Sequence, residues 1–384
     1  MIRWLCLMLV LATGAVAEVR VDPARSAVEN HWRNLRVSLG LSDIVPYRVF
    51  TLDAPRRLVL DFQGVDWAGV DAATLLEKGR ATGVRFGPMR PGWSRMVVDL
   101  ADPLVVAEAG MVRTDDGADL TVLLRPVAAQ EFALRAGAPP DPAWDVFAGI
   151  DPVTPVPVPD DVFTVVVDAG HGGIDPGAER SGVREADVML LLAREVAAGL
   201  NTVDGVRAVL TRDDDSFVPL NARMTIARTA GADLFISLHA DALEEDEAEG
   251  ASIYTLAAGG GDTASARMVE RHERGDLLAG VDLEATGDKV ATVLMDLARA
   301  QTGPEGQQFA DALVAALRAA HVPVNSQPRR EGQLAVLSAA DFPSVLIEAG
   351  FLSNTRDRAL LASVAGRDRI VQAIVAAVQA GLPG

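Results

Sequence analysis

Three short apolar runs in the C-terminal half of the chain each end in an ionisable residue beside glycine or alanine. No other feature restricts the fold as tightly. The runs are Val165-Val166-Val167-Asp168-Ala169-Gly170-His171, Leu234-Phe235-Ile236-Ser237-Leu238-His239-Ala240-Asp241 and Val345-Leu346-Ile347-Glu348-Ala349-Gly350-Phe351. Apolar stretches of this length with β-branched residues suit strands buried on both faces, as in a parallel sheet covered by helices. Such sheets place their ligand chemistry just beyond the carboxyl ends of the strands. The pattern therefore predicts that two imidazoles and a carboxylate meet on one rim.

The intervening segments read as strands at 163–168, 206–210, 233–238, 251–256, near 334–337 and at 344–348. Helical patterns fall at 185–200, 219–230 and 368–380, with a long charged helical segment at 262–320. Alternation of this kind predicts an α/β fold, a three-layer domain over 162–384 with a mostly parallel or mixed sheet between helices. Residues 19–135 instead alternate with period two, as in Arg57-Leu58-Val59-Leu60-Asp61-Phe62 and Arg95-Met96-Val97-Val98-Asp99-Leu100. Short alternating strands separated by Pro, Gly and Asp predict a small N-terminal all-β sandwich of antiparallel strands. Between the two, residues 136–161 carry proline at every second or third position in places, which predicts an extended spacer tethering two domains.

The chain opens with one arginine, a short apolar stretch and Ala15-Val16-Ala17, the pattern of a signal peptide over 1–17 cleaved after Ala17. Export is the expectation. The only cysteine, Cys6, lies inside that segment, so any metal in the mature chain must be held by His, Asp or Glu. No later run approaches the length of a transmembrane helix, so no membrane anchor is expected. A net charge of −18 argues against nucleic acid or an anionic membrane as the main partner, because those contacts depend on basic patches. The acidic run Glu244 to Glu249 reads as a solvated loop.

His171 lies between glycines that permit a tight turn and close backbone approach to a ligand. Glu185 opens a helix on whose apolar face Met189, Leu192 and Val196 follow, so its carboxylate points toward the sheet, where a buried acid needs a positive partner. Asp187 points elsewhere and reads as a surface acid in the first helical turn. His239 ends a strand, with Asp241 or a backbone carbonyl as the acceptor that would orient its ring. Three ligands, His171, Glu185 and His239, leave one position open on a zinc ion, and Glu348 then reads as general base rather than fourth ligand. His31, His272 and His321 fall outside such rims and read as ordinary surface or packing residues.

Taken in order, Val167-Asp168-Ala169-Gly170-His171-Gly172-Gly173, Arg184-Glu185, Leu210-Thr211-Arg212-Asp213, Asn221-Ala222-Arg223, Ala232 to Asp241, Gly250-Ala251-Ser252 and Ile347 to Asn354 resemble the zinc-dependent N-acetylmuramoyl-L-alanine amidases of the cell-division type. The resemblance covers about Val162 to Leu382. It implies zinc (Zn2+) held by His171, Glu185 and His239, a catalytic Glu348, and cleavage of the amide between the lactyl group of N-acetylmuramic acid and L-alanine during septal wall splitting. Ala186 departs from the family, which often has lysine after the ligand glutamate, and reads as the loss of a surface-side charge.

Residues 19–135, with Pro46-Tyr47-Arg48-Val49-Phe50 and Pro55 to Phe62, resemble an AMIN domain, which implies peptidoglycan binding and a periplasmic location. In the family a helix after the Gly-Ala-Ser strand can block the zinc until a LytM-domain activator moves it. Residues 264–301 occupy that place here, as such a regulatory helix or as a charged helix packed outside. Two rival functions stand beside the amidase: a zinc peptidase cutting within the stem peptide, and a catalytically inactive wall-binding regulator.

Overall fold

The computed structural model describes residues 19–90, 92–138, 162–242, 248–257, 292–337, 339 and 341–382. The expected signal segment, most of the proline-rich spacer and the 264–291 part of the expected regulatory segment lie outside the described residues.

The N-terminal strands are β1 (Val19–His31), β2 (Asn34–Leu41), β3 (Tyr47–Leu52), β4 (Arg57–Gln63), β5 (Val65–Asp66), β6 (Ala81–Arg90), β7 (Trp93–Leu100), β8 (Leu104–Thr114) and β9 (Gly117–Pro126). They form two sheets, in the orders β5-β1-β2-β9-β8 and β3-β4-β7-β6. Every pairing is antiparallel except the short one between β1 and β5. Period-two alternation sends Leu35, Val37 and Leu39 of β2 and Leu58, Leu60 and Phe62 of β4 into one shared core. Two short helices, α1 (Ala72–Leu75) and α2 (Ala129–Arg135), accompany the sandwich.

The second unit contains β10 (Phe163–Ala169), the small hairpin β11 (Glu179–Arg180) and β12 (Val183–Arg184), α3 (Glu185–Leu200), β13 (Val206–Leu210), α4 (Leu220–Ala230), β14 (Leu234–His239), β15 (Ala251–Leu256), α5 (Thr292–Ala319), β16 (Val324–Gly332), β17 (Ser344–Glu348), α6 (Thr355–Ala362) and α7 (Val364–Gly381). Its sheet runs β13-β10-β14-β17-β15-β16. The four strands from β13 to β17 are mutually parallel, whereas β15 pairs antiparallel to β17. The sheet is mixed, and the three apolar runs are its adjacent central strands.

Both faces of these strands are covered. Val165, Val167, Ile236 and Ile347 pack with Leu192 and Val196 of α3, Leu313 of α5 and Ile374 of α7. Val166, Phe235 and Leu346 point the other way, against Met224 and Ala227 of α4. Three layers result, and every strand-end ionisable residue named above emerges at the same sheet edge.

Two sequence expectations change. The predicted strand near 334–337 is a single 3-10 turn, Ala335–Leu337, and the strand lies earlier, at β16. Its sequence, Val324-Asn325-Ser326-Gln327-Pro328-Arg329-Arg330-Glu331-Gly332, is polar because β16 is the sheet's edge, where an apolar run would invite pairing with another chain. Leu334, Val336 and Leu337 supply the apolar pattern by packing into the α4-side core. Helix α6 was not anticipated; Asn354 caps it by accepting from the backbone N–H groups of Arg356 and Asp357.

Candidate metal centre

At the carboxyl rim His171 Nε2, His239 Nδ1 and Glu185 Oε1 form a triangle. Its sides are 3.2 Å between the imidazole nitrogens, 3.2 Å from His171 to Glu185 and 3.1 Å from His239 to Glu185. Among the described residues these three form the one group of at least three His, Cys, Asp or Glu side chains placed to share an ion. Glu185 and His239 are buried and His171 is nearly so.

Donor chemistry tests whether the triangle suits a cation. His171 Nδ1 lies 2.7 Å from Asp175 Oδ2, a contact that keeps the proton on Nδ1 and turns the Nε2 lone pair into the triangle. Three electron-rich atoms then face one another in a buried space. A tetrahedral ion with ligands at ~2.0–2.1 Å requires edges of about 3.3 Å between donors, close to the sides observed. The residues fit a divalent cation.

The local backbone explains how the sequence achieves this. His171 adopts φ 59°, a left-handed conformation uncommon outside glycine. Two buried arginines hold the turn through consecutive carbonyls. Arg223 donates to the oxygens of Ala169 (2.7 Å) and His171 (2.9 Å). Arg212 donates to those of Ala169 (3.0 Å) and Gly170 (2.9 Å), and also to Ala186 O (2.9 Å) in the first turn of α3. Arg212 therefore ties the loop bearing His171 to the helix bearing Glu185. At Gly170 a Cβ would collide with the His239 ring, and at Gly177 it would lie 2.7 Å from both Glu185 Oε2 and His171 Cδ2. Only glycine lets the backbone come this close.

Glu185 is fixed by backbone donors as well: Ala240 N–H reaches Oε1 and Ala178 N–H reaches Oε2, each at 2.9 Å. Burial pushes its pKa up, but His171 and His239 more than compensate and hold it well below the usual carboxylate range. Burial disfavours charge on His171 too, yet Asp175 and Glu185 lift its pKa well above that of a free imidazole. In the metal-free protein the two carboxylates favour the protonated form of His171, so a cation competes there with a proton.

Beneath the rim Asp168, at the end of β10, accepts from Arg223 (2.5 Å), Thr211 (2.6 Å) and Ser237 (2.7 Å). Burial opposes its charge, but Arg223 and the two hydroxyls keep its pKa below the ordinary aspartate value. This contribution to stability is present above the unfolded-state pKa and is lost as pH falls through the depressed one. Asp168→Asn leaves the Arg223 guanidinium buried without its counter-charge. It is expected to cost about 3–5 kcal/mol of folding stability, read from denaturant midpoints, whereas a cost under about 0.5 kcal/mol, the usual surface-substitution effect, would remove Asp168 from the account.

Glu348 is fully buried at the end of β17 and stands in register with His239 on the neighbouring strand. Its Oε2 accepts from Asp241 N–H at 2.9 Å. Burial, reinforced by the nearby Glu185 charge and opposed by His239, pushes its pKa up to about 7. A carboxylate poised there can take and return a proton near neutral pH.

All four predicted site residues therefore sit at one rim. Sequence reading missed Asp175, although an acid four residues past the histidine of a glycine turn was a readable signal. It also gave Arg212 and Arg223 no role. Asp187 is exposed, as expected. Ala186 is not at the surface side: it is fully buried, with its carbonyl on Arg212, so a long cationic side chain would need a different local packing.

Comparison with known proteins extends this picture. Residues 165–380 match the N-acetylmuramoyl-L-alanine amidase family (Amidase_3), more than half of the chain. The chain belongs to this amidase family. Residues 27–122 match the AMIN domain. Among curated relatives, N-acetylmuramoyl-L-alanine amidase AmiC of Neisseria meningitidis is 30% identical, covering 90% of this chain and 86% of that protein. The protein of the same name in Escherichia coli is 28% identical, covering 96% and 90% respectively. Among solved structures, the amidase AmiC2 of Nostoc punctiforme aligns with a TM-score of 0.42 at 26% identity, over 57% of this chain and 96% of that one. The amidase family assigns the enzyme class, hydrolysis of the N-acetylmuramoyl-L-alanine amide bond of peptidoglycan.

Proposed function

We propose that His171, Glu185 and His239 hold a single zinc ion and that Glu348 is the general base, so that the enzyme separates stem peptide from glycan at the cell-division septum. The observation that carries this reading is the closed triangle of donor atoms with Glu348 in register beside it. Imidazole and carboxylate donors without thiolate suit zinc. When bound, zinc supplies a Lewis acid and lowers the pKa of water toward ~7. Glu348, oriented by the Asp241 N–H, takes the proton of the attacking water and hands it to the departing alanine nitrogen. The products are a glycan with a free lactyl carboxylate and a peptide beginning with L-alanine.

Two pH dependences follow. Metal displaces the proton held on His171, so zinc affinity is expected to rise with pH, by about tenfold per unit for one proton lost. Chelator competition at several pH values measures this, and a flat profile would contradict the ligand set. Glu348 acts in its ionised form, so kcat/KM is expected to fall on the acid side through a pKa no higher than about 7, since a bound cation lowers the metal-free value.

The signal-like residues 1–17 support export to the periplasm, and the AMIN match within the proposed 19–135 domain supports attachment to peptidoglycan. The acid-rich segment 264–301 supports control by a LytM-domain activator. Deleting residues 264–291 is then expected to raise release of labelled peptide from sacculi several-fold without activator, and unchanged release would remove that regulation.

A further inference from the structure

The N-terminal sandwich meets the metal-bearing loop. Met89 of β6 and Val97 of β7 form one buried cluster with Ile174 and Phe217 of the second unit, none more than 4% exposed. Backbones touch at the same place. A Cβ on Gly87 would lie 2.9 Å from the carbonyl carbon of Gly173 and the nitrogen of Ile174. A Cβ on Gly173, itself at φ 58°, would collide with the Pro88 carbonyl oxygen. Glycine on each side is what allows this approach.

The seam lies against both ligand-bearing segments. Gly173 is two residues beyond His171. Its N–H donates to Asp215 Oδ1 at 2.9 Å, and Asp215 Oδ2 accepts from Arg184 Nη2 at 3.2 Å, the residue before Glu185. Neither Met89 nor Val97 belongs to the rim, so they bear on the metal only through this loop.

We infer that the N-terminal sandwich docks on the loop from Gly172 to Ile174 and is a positioning element for His171 and Glu185, beyond anchoring the enzyme to the wall. The positioning part rests on the zinc reading above; the docking part does not. Substrate held by the sandwich would then be presented at a fixed distance from the metal rim rather than at the end of a loose leash.

The test uses the full chain with Cys6 replaced by serine. Pro88→Cys paired with Ser216→Cys is expected to cross-link within the chain through a short bifunctional thiol reagent. Val112→Cys, on exposed β8, paired with Ser216→Cys is not. In the cysteine-free background, Gly87→Val and Met89→Ser are expected to weaken zinc binding at least tenfold, with Met89→Leu close to wild type. Absence of a cross-link above the Val112 control, in a protein that binds zinc, overturns docking. A cross-link combined with wild-type zinc affinity in both Gly87→Val and Met89→Ser overturns positioning. A wild type that cross-links but takes up no zinc overturns the metal reading and positioning together, and leaves the docked seam standing.

Discussion

Glu348→Gln is expected to keep its zinc and lose turnover, with kcat lower by about 10²–10⁴-fold, the range associated with a positioned acid–base group. The substitution preserves shape and an oxygen for the Asp241 N–H, so the rim should stay assembled. Glu348 is outside the donor triangle, which is why metal content should be unchanged. What disappears is a carboxylate that burial has tuned toward neutrality. The acid limb of the pH profile should vanish with it. Metal analysis beside dye release from labelled sacculi reads both effects, and a variant retaining more than a tenth of wild-type kcat would take Glu348 out of the chemistry.

His171→Ala is expected to lose metal and activity together. Removing one of three ligands leaves a carboxylate and one imidazole, and Asp175 loses the ring it orients. Alanine keeps the left-handed backbone cost of roughly 1–2 kcal/mol that histidine already bears at φ 59°. His171→Gly removes that cost while still deleting the ligand. If both variants lose zinc to the same extent, the loss is coordination rather than loop strain. Retained stoichiometric zinc in either would contradict the assigned ligand set.

The central strands and helix α3 were legible because their signals are local: apolar runs of strand length, and Glu185 leading an apolar stripe at helical spacing. The residues that meet in the donor triangle were legible for a related reason, since histidine or glutamate after a buried strand has few inexpensive explanations. Asp168 shows where this stops. Its burial could be read from Val165-Val166-Val167, but its partners Arg223 and Thr211 come from other elements, and only the packed sheet brings them together. Strand β16 escaped notice because an edge strand has no need of an apolar pattern, while the 3-10 turn after it displays one. The seam between the sandwich and the Gly172–Ile174 loop was likewise invisible. Met89 and Phe217 look like ordinary core residues of their own units, and a proline-rich spacer reads as separation.

The same limit applies to the second-layer groups. Asp175 stands four residues from His171 in a glycine-rich turn, so its reach depends on a backbone bend that composition permits but does not dictate. Arg212 reads only as an arginine in the connection after β13, and Arg223 as one more arginine in the first turn of α4. Their task, satisfying three consecutive carbonyls of a left-handed turn, is a three-dimensional requirement.

The most direct test joins metal stoichiometry to product chemistry on one preparation. Purified enzyme, loaded with metal and incubated with sacculi, should contain one zinc per chain and release peptides whose new amino terminus is L-alanine, with no release after chelation and recovery on adding zinc. New amines on diaminopimelate, or undiminished release from metal-free protein, would contradict a zinc-dependent amidase centred on His171, Glu185 and His239.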